Sequence, residues 1–427
     1  MNFTPKEVIN FVEENDVKFI RLTFCDIFGN LKNIAIMPSE LPRAFKKGIS
    51  FDASAFTGCM NIKYSDLLLF PDASTLSVLP WRPKTGRVVR FFCNIKKPDG
   101  ESFEGDARNQ LKKTAKRAKE MGYTCDIGTE CEFYLFDVDE KGIPTRIPHD
   151  SGSYLDIAPL DKCENIRREI CLSLEEMGLS PESSRHEYGP GQNEIDFKHS
   201  EIVSAADNVI YFKTAVKAIA LQNGLYASFM PKPMAEYNGS SMHINMSVRK
   251  NGENIFSCNP EKMSEDGKHF IAGIMNRIKE ITCMLNQTTN SYERFGEGLA
   301  PEYINWSCEN RAQLIRIPYA EDERTRIEVR SADPTCNPYI SFNLLLSAGL
   351  EGIEKKLELQ PENTNLGRLP QSFEEACNIG KESNFIKGII PNETLGMLFR
   401  SFDNVIAEYN RADSKDMFEY GYYFQTL

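Results

Sequence analysis

Four times between residues 129 and 330 the chain alternates strictly between polar and apolar side chains. In an extended chain, residues two apart share a face, so each stretch predicts a strand with one wet side and one buried side. In Thr129-Glu130-Cys131-Glu132-Phe133, both carboxylates oppose Cys131 and Phe133. In Gln192-Asn193-Glu194-Ile195-Asp196-Phe197, Glu194 and Asp196 oppose Ile195 and Phe197. Residues 241–247 set His243, Asn245 and Ser247 against Met242, Ile244 and Met246, while residues 326–330 set Arg326, Glu328 and Arg330 against Ile327 and Val329. Other segments follow the helical period. Asp106 is placed to cap a helix that carries Leu111, Ala115 and Ala118 and stops near Gly122. Further helices are predicted over about 164–177, 205–222 and 268–285.

Residues 1–100 read instead as short strands and turns. Phe19-Ile20-Arg21-Leu22-Thr23-Phe24 and Val88-Val89-Arg90-Phe91-Phe92 are strand-like, and Asp26-Ile27-Phe28-Gly29-Asn30 is a turn signal. The texture changes at Glu104-Gly105-Asp106, which places a small N-terminal domain at 1–102 and a large one at 103–427. The class is α+β.

Composition narrows the partners. With 427 residues, 41% hydrophobic and 26% charged, the chain has the balance of a globular protein of two or three domains. A net charge of −11 disfavours nucleic acid and anionic membranes, so an anionic ligand must be met by local arginine or metal. No apolar run approaches the roughly 20 residues that span a bilayer, and the N-terminus lacks a secretory apolar segment. The twelve cysteines show no CxxC spacing, which fits reduced thiols and a cytoplasmic location. His149 and His269 read as surface residues without partners, and the aromatic tail (Tyr420, Tyr422, Tyr423, Phe424) as packing against a neighbouring subunit.

Any one alternating strand is ordinary in a half-exposed antiparallel sheet. Together, these four carry mostly Glu, Arg, His and Asn on the polar side, where a solvated face usually carries Lys, Ser and Thr. Carboxylates gathered on one sheet repel unless a cation lies among them. Glu130, Glu132, Glu187, Glu194 and Glu328 with His243 suit Mg²⁺ or Mn²⁺ better than zinc. Arg294, Arg311, Arg316, Arg326 and Arg330 follow downstream. Acidic metal ligands beside arginines are the two halves of a phosphoryl-transfer site, although there is neither a GxxxxGK[ST] loop nor a kinase motif.

At these residues the chain resembles the bacterial and archaeal type I glutamine synthetase family. The resemblance runs from about 15 to 355 and is carried by Gly128-Thr129-Glu130-Cys131-Glu132-Phe133, His186-Glu187, Pro190-Gly191-Gln192-Asn193-Glu194, Met230-Pro231-Lys232-Pro233, Asn238-Gly239-Ser240-Ser241-Met242-His243, Asn310-Arg311 and Ile315-Arg316-Ile317-Pro318, with residues 326–330. It implies a small β-grasp-like domain before a catalytic domain with a curved antiparallel sheet and flanking helices. It implies one metal on Glu132, Glu187 and Glu194 and another on Glu130, His243 and Glu328, with two to three Mg²⁺ or Mn²⁺ per site and ATP as co-substrate. Asn238, Gly239, Arg294 and Arg330 would bind glutamate; Arg311, Arg316 and Arg326 the phosphates; Phe197, Asn245 and Ser247 the nucleotide. Tyr154 would line an ammonium pocket that Asp52 and Asp66 complete from a neighbouring chain, within a dodecamer of two hexameric rings.

Three departures touch the ammonia half of that chemistry. The family's Asp-Gly-Ser-Ser loop reads Asp52-Ala53-Ser54-Ala55, and its Gly-Tyr-Glu-Ala-Pro flap is one residue shorter as Gly296-Glu297-Gly298-Leu299-Ala300-Pro301. Arg185 stands where the family has the first His of a His-His-Glu run, and a regulatory arginine is replaced by Asn61. A pocket poorer in anions tolerates a larger amine better than ammonium. Besides ammonia ligation, a γ-glutamyl-amine ligase and an inactive binding paralogue therefore remain open at this point.

Overall fold

The computed structural model describes residues 3–55, 65–82, 85–320 and 324–427; Asn61 lies outside them. The first sheet runs in the order Leu31–Ile36, Val17–Cys25, Arg87–Lys96, Asp66–Pro71, Ile49–Asp52. Val17–Cys25 and Arg87–Lys96 lie parallel, and the outer pairs are antiparallel. The predicted turn after Val17–Cys25 is built by Asp26, whose Oδ1 accepts from the backbone N–H groups of Phe28 (3.0 Å) and Asn30 (2.9 Å). Gly29 there has φ +84°, a conformation that glycine adopts without the Cβ penalty.

This region also holds two helices that a reading as strands and turns omitted. Pro5–Glu14 starts with a Thr4–Glu7 capping box and a proline in its first turn, a signature present in the sequence. Its Val8 and Val12 pack with Leu22, Val89 and Phe91, and Leu41–Lys47 adds Leu41 and Ala44 to the same core.

All four alternating stretches fall in one second sheet, ordered Trp306–Ser307, Ile315–Arg316, Ile327–Val329, Met242–Lys250, Tyr123–Val138, Gln192–Phe197, Pro181–His186. It is antiparallel except for the parallel pair at its Trp306–Ser307 edge. Of the apolar half of the alternation, Cys131, Phe133, Ile195, Met242, Ile244, Met246, Ile327 and Val329 show 0% exposure and Phe197 5%. They face the helices Ile202–Gln222, Glu265–Leu285 and Pro338–Lys355 in one core. Burial of that face fixes the register, because a one-residue slip would turn every carboxylate into the core.

Predicted helices at 106, 164, 205 and 268 are present as Ala107–Glu120, Glu164–Glu176, Ile202–Gln222 and Glu265–Leu285. The last two start three residues early, because Glu201 and Ser264 cap them by accepting from backbone N–H groups. Gly273 and Gly352 let Glu265–Leu285 and Pro338–Lys355 approach closely: a Cβ on Gly273 would meet the Ala348 carbonyl at 2.2 Å.

Arg108 ties the first sheet to the helix Ile202–Gln222 that packs behind the second. Its guanidinium donates to Asp207 (2.9 and 2.8 Å), and to Asp72 (3.1 Å) and Asn94 (3.2 Å) of the first sheet's loops and strands. Asn337 adds a donor to the Ile27 carbonyl at 3.1 Å.

Several smaller expectations are corrected. His149 and His269 have partners: Asp137 Oδ1 lies 2.7 Å from one Nδ1 and the Leu357 carbonyl 2.7 Å from the other. Tyr423 and Phe424 of the aromatic tail are buried in this chain's own cluster with Tyr134, Phe136 and Met230, so their apolar area is already covered. Tyr422 remains exposed. No described cysteine forms a disulfide, and no helix among the described residues is long and apolar enough to cross a membrane.

Candidate active site

The polar face of the second sheet floors a cleft of about 630 Å³. Pairing sets its acids side by side: Glu132 lies opposite Glu194, Glu130 opposite His243, and Arg316 opposite Glu328. Of the residues expected from sequence, Glu130, Glu132, Tyr154, Glu187, Glu194, Asn238, Gly239, His243, Arg294, Arg311 and Arg330 line this cleft.

Two groups of ligand atoms converge. Carboxylate oxygens of Glu132, Glu187 and Glu194 lie within 4.8 Å of one another, as do those of Glu130 and Glu194 with a ring nitrogen of His243. The first group is the expected one. In the second, Glu194 takes the place expected for Glu328. Glu328 Oε1 is 3.3 Å from His243 Nδ1, but it is also paired with Arg330, and Oε2 takes Arg316 at 3.0 Å.

The electrostatics fit a site that holds hard cations. Desolvation, and then Glu187, push the Glu132 carboxyl up to about 8. Desolvation and the neighbouring acids Glu187, Glu132 and Asp196 push Glu194 well up as well. Glu194 Oε1 is buried and accepts no aligned hydrogen bond. Burial also acts to raise Glu130, but His243 and Asn245 outweigh it and hold that carboxyl down to about 2. A cation lying among these buried carboxylates would relieve their mutual repulsion, and oxygen ligands with one imidazole suit Mg²⁺ or Mn²⁺.

Arginine surrounds this cluster. Arg294 is 2% exposed and donates to Ser241 Oγ (2.9 Å), Asn286 Oδ1 (2.9 Å) and the Ser331 carbonyl (3.0 Å). It presses against Gly239, where an added Cβ would stand 2.5 Å from Arg294 Cγ. Arg311 lies at the rim, in an exposed turn.

Along the same sheet, Arg326 donates to Asn245 Oδ1 (3.0 Å), Asn245 donates to Glu130 (3.0 Å), and Ser247 donates to the Thr325 carbonyl (3.4 Å). Phe197 differs from expectation. Its ring is 5% exposed and packs edge-on to Phe212 at 5.2 Å, so its side chain belongs to the core and not to a ligand surface. Asp52 and Asp66 pair across strands at an exposed end of the first sheet and do not line the cleft.

Three interactions escaped the sequence. The flap's Glu297 faces the cleft, ion-paired to the buried ammonium of Lys232. Tyr188 stacks on Tyr154 at 4.6 Å. Behind Glu187, the buried His186 places Nδ1 2.7 Å from that residue's carbonyl and Nε2 3.0 Å from Asp150. Lys232 was legible only as part of a motif, and nothing local to Tyr188 signals its stacking.

The chain matches the model described as "Glutamine synthetase, beta-Grasp domain" over residues 16–98 and that described as "Glutamine synthetase, catalytic domain" over 104–401. The chain belongs to the glutamine synthetase family. A protein named glutamine synthetase from Clostridium saccharobutylicum is 44% identical over 411 residues, covering 92% of this chain and 93% of that one. One of the same name from Methanosarcina mazei is 44% identical, with 90% of each chain covered. Among solved structures, a GmaS–ADP complex superposes with a TM-score of 0.87 at 25% identity, covering 99% of both chains.

Proposed function

We propose that this chain joins ammonia to the side-chain carboxylate of glutamate, using ATP, through γ-glutamyl phosphate. The observation that carries this reading is the meeting of two acidic, metal-competent groups with Arg294, Arg311 and Arg330 in one cleft. Glu132, Glu187 and Glu194 would hold one divalent cation, and Glu130 and His243, with Glu194 or Glu328, the other. Bound there, Mg²⁺ or Mn²⁺ would neutralise charge on the transferred phosphoryl group.

Arg330, Arg294, Asn238 and Gly239 orient the amino acid, while Arg311, Arg316 and Arg326 face the phosphates. Asn245, Ser247 and the main chain at Phe197 receive the nucleotide. Glu297 supplies the flap carboxylate that ammonium needs, through a shortened flap and not at the family's usual position. That anion, together with Tyr154, supports ammonia over a larger amine. Asp52 and Asp66 act from a neighbouring copy, with residues 1–102 as the part that completes the next site in a homo-oligomer of two stacked hexameric rings. The retained acids support catalysis over mere binding, since buried carboxylates without a cation are costly. A cytoplasmic location accords with the reduced cysteines.

Purified protein incubated with glutamate, ATP, Mg²⁺ and equal concentrations of ammonium and primary amines is expected to yield glutamine as the dominant product by mass spectrometry. A γ-glutamyl-amine as the main product, or no product from any amine, would overturn the reading.

A further inference from the structure

Arg185 belongs to the strand Pro181–His186, whose register sets it directly opposite Glu194. Its guanidinium reaches three acids at once. Nη2 is 2.9 Å from Glu194 Oε1, Nε is 3.2 Å from Glu187 Oε1, and Nη1 is 2.7 Å from Asp196 Oδ2. Nη1 also donates to Ser183 Oγ at 3.2 Å. The side chain is 24% exposed and forms part of the cleft wall.

Two of the three acids of the Glu132–Glu187–Glu194 group therefore already touch a fixed positive charge. The approach to Glu194 Oε1 is a close ion pair without hydrogen-bond alignment. Arg185 thus stands beside the cation position without filling it. A guanidinium does not give up its proton in proteins, so its repulsion of an incoming cation cannot be relieved by pH.

We propose that Arg185 sets the cation affinity of the Glu132–Glu187–Glu194 centre. It balances the acids when no cation is bound and weakens the divalent ion's hold when one is. The inference rests on reading this group as a divalent site.

The test is Mn²⁺ titration of the purified full chain, followed by calorimetry and by the electron paramagnetic resonance of free Mn²⁺, without substrates. Arg185→Gln and Arg185→Met are expected to tighten one ion per chain by about 10- to 100-fold, the range in which groups contacting metal ligands act. Arg185→Lys should stay close to wild type. Adding Glu187→Gln to Arg185→Gln should abolish the tight ion and so assign it to this centre. In the presence of a chelator, Arg185→Gln should melt at a lower temperature than wild type, and Mn²⁺ should restore the difference. Unchanged Mn²⁺ affinity in both neutral variants would overturn the role of Arg185. Absence of Mn²⁺ binding in wild type and every variant would instead remove the divalent site, and the inference with it.

Discussion

Lys232 holds the flap. Its side chain is 3% exposed while that of Glu297 is 54% exposed, so a buried ammonium fixes a carboxylate that would otherwise sample solvent. Replacing Lys232 with Met should lower kcat/KM for ammonium with little change in the KM for ATP, and Lys232→Arg should restore part of the loss. Glu297→Gln should cost about 100-fold in kcat/KM for ammonium, the lower end of what a positioned acid or base contributes. Steady-state kinetics with each substrate varied checks both; an unchanged ammonium profile in Glu297→Gln would move the flap role elsewhere. At this scale the sequence was partly legible. The carboxylates of Glu130, Glu132, Glu194 and Glu328 were found because a period of two is local. The Lys232–Glu297 pair was not, because its members are 65 residues apart and only folding brings them together.

Glu293, at the end of the turn Thr289–Arg294, meets Glu419 of the tail helix Lys415–Glu419. Desolvation, followed by Glu419, pushes the Glu293 carboxyl up to about 7. Glu419 is raised too, chiefly by burial, and accepts from Thr289 Oγ1 (2.6 Å) and Asn290 Nδ2 (3.2 Å). A carboxyl whose folded pKa lies above its unfolded value stabilises the fold fully below the unfolded value, near 4.5, and that contribution is lost as pH rises through about 7. Glu293→Gln keeps the neutral hydrogen-bonding group at every pH. Its melting temperature relative to wild type should therefore climb between pH 5 and 8; a constant difference would show that the pair does not share a proton. Helix existence was legible from Leu111, Ala115 and Ala118, whereas the early starts at Glu201 and Ser264 depended on which polar residue caps. The tail's destination was misread because aromatic composition favours burial without naming the surface that supplies it.

At the scale of the molecule, the exposed Asp52 and Asp66 lie apart from the cleft that we propose they serve from a neighbouring copy. A chain that completes its neighbour should allow complementation. Asp52→Asn and Arg311→Gln proteins, each inactive alone, should regain a fraction of activity after dissociation and mixed reassembly, as measured by phosphate release. No recovery from assemblies shown by light scattering to be mixed would place both residues in service of one chain. The sheet that presents Asp52 and Asp66 has a further consequence. Its middle strand, Arg87–Lys96, follows in sequence both pairs that it joins, Val17–Cys25 with Leu31–Ile36 and Ile49–Asp52 with Asp66–Pro71. As the chain leaves the ribosome, each pair must wait with an open hydrogen-bonding edge until this keystone arrives, which is when a nascent sheet is most exposed to pairing with the wrong chain. In a protein expected to assemble from many identical copies, polysomes hold those open edges close together, and the time needed to translate residues 37–96 for the first pair and 72–96 for the second sets how long each stays unprotected.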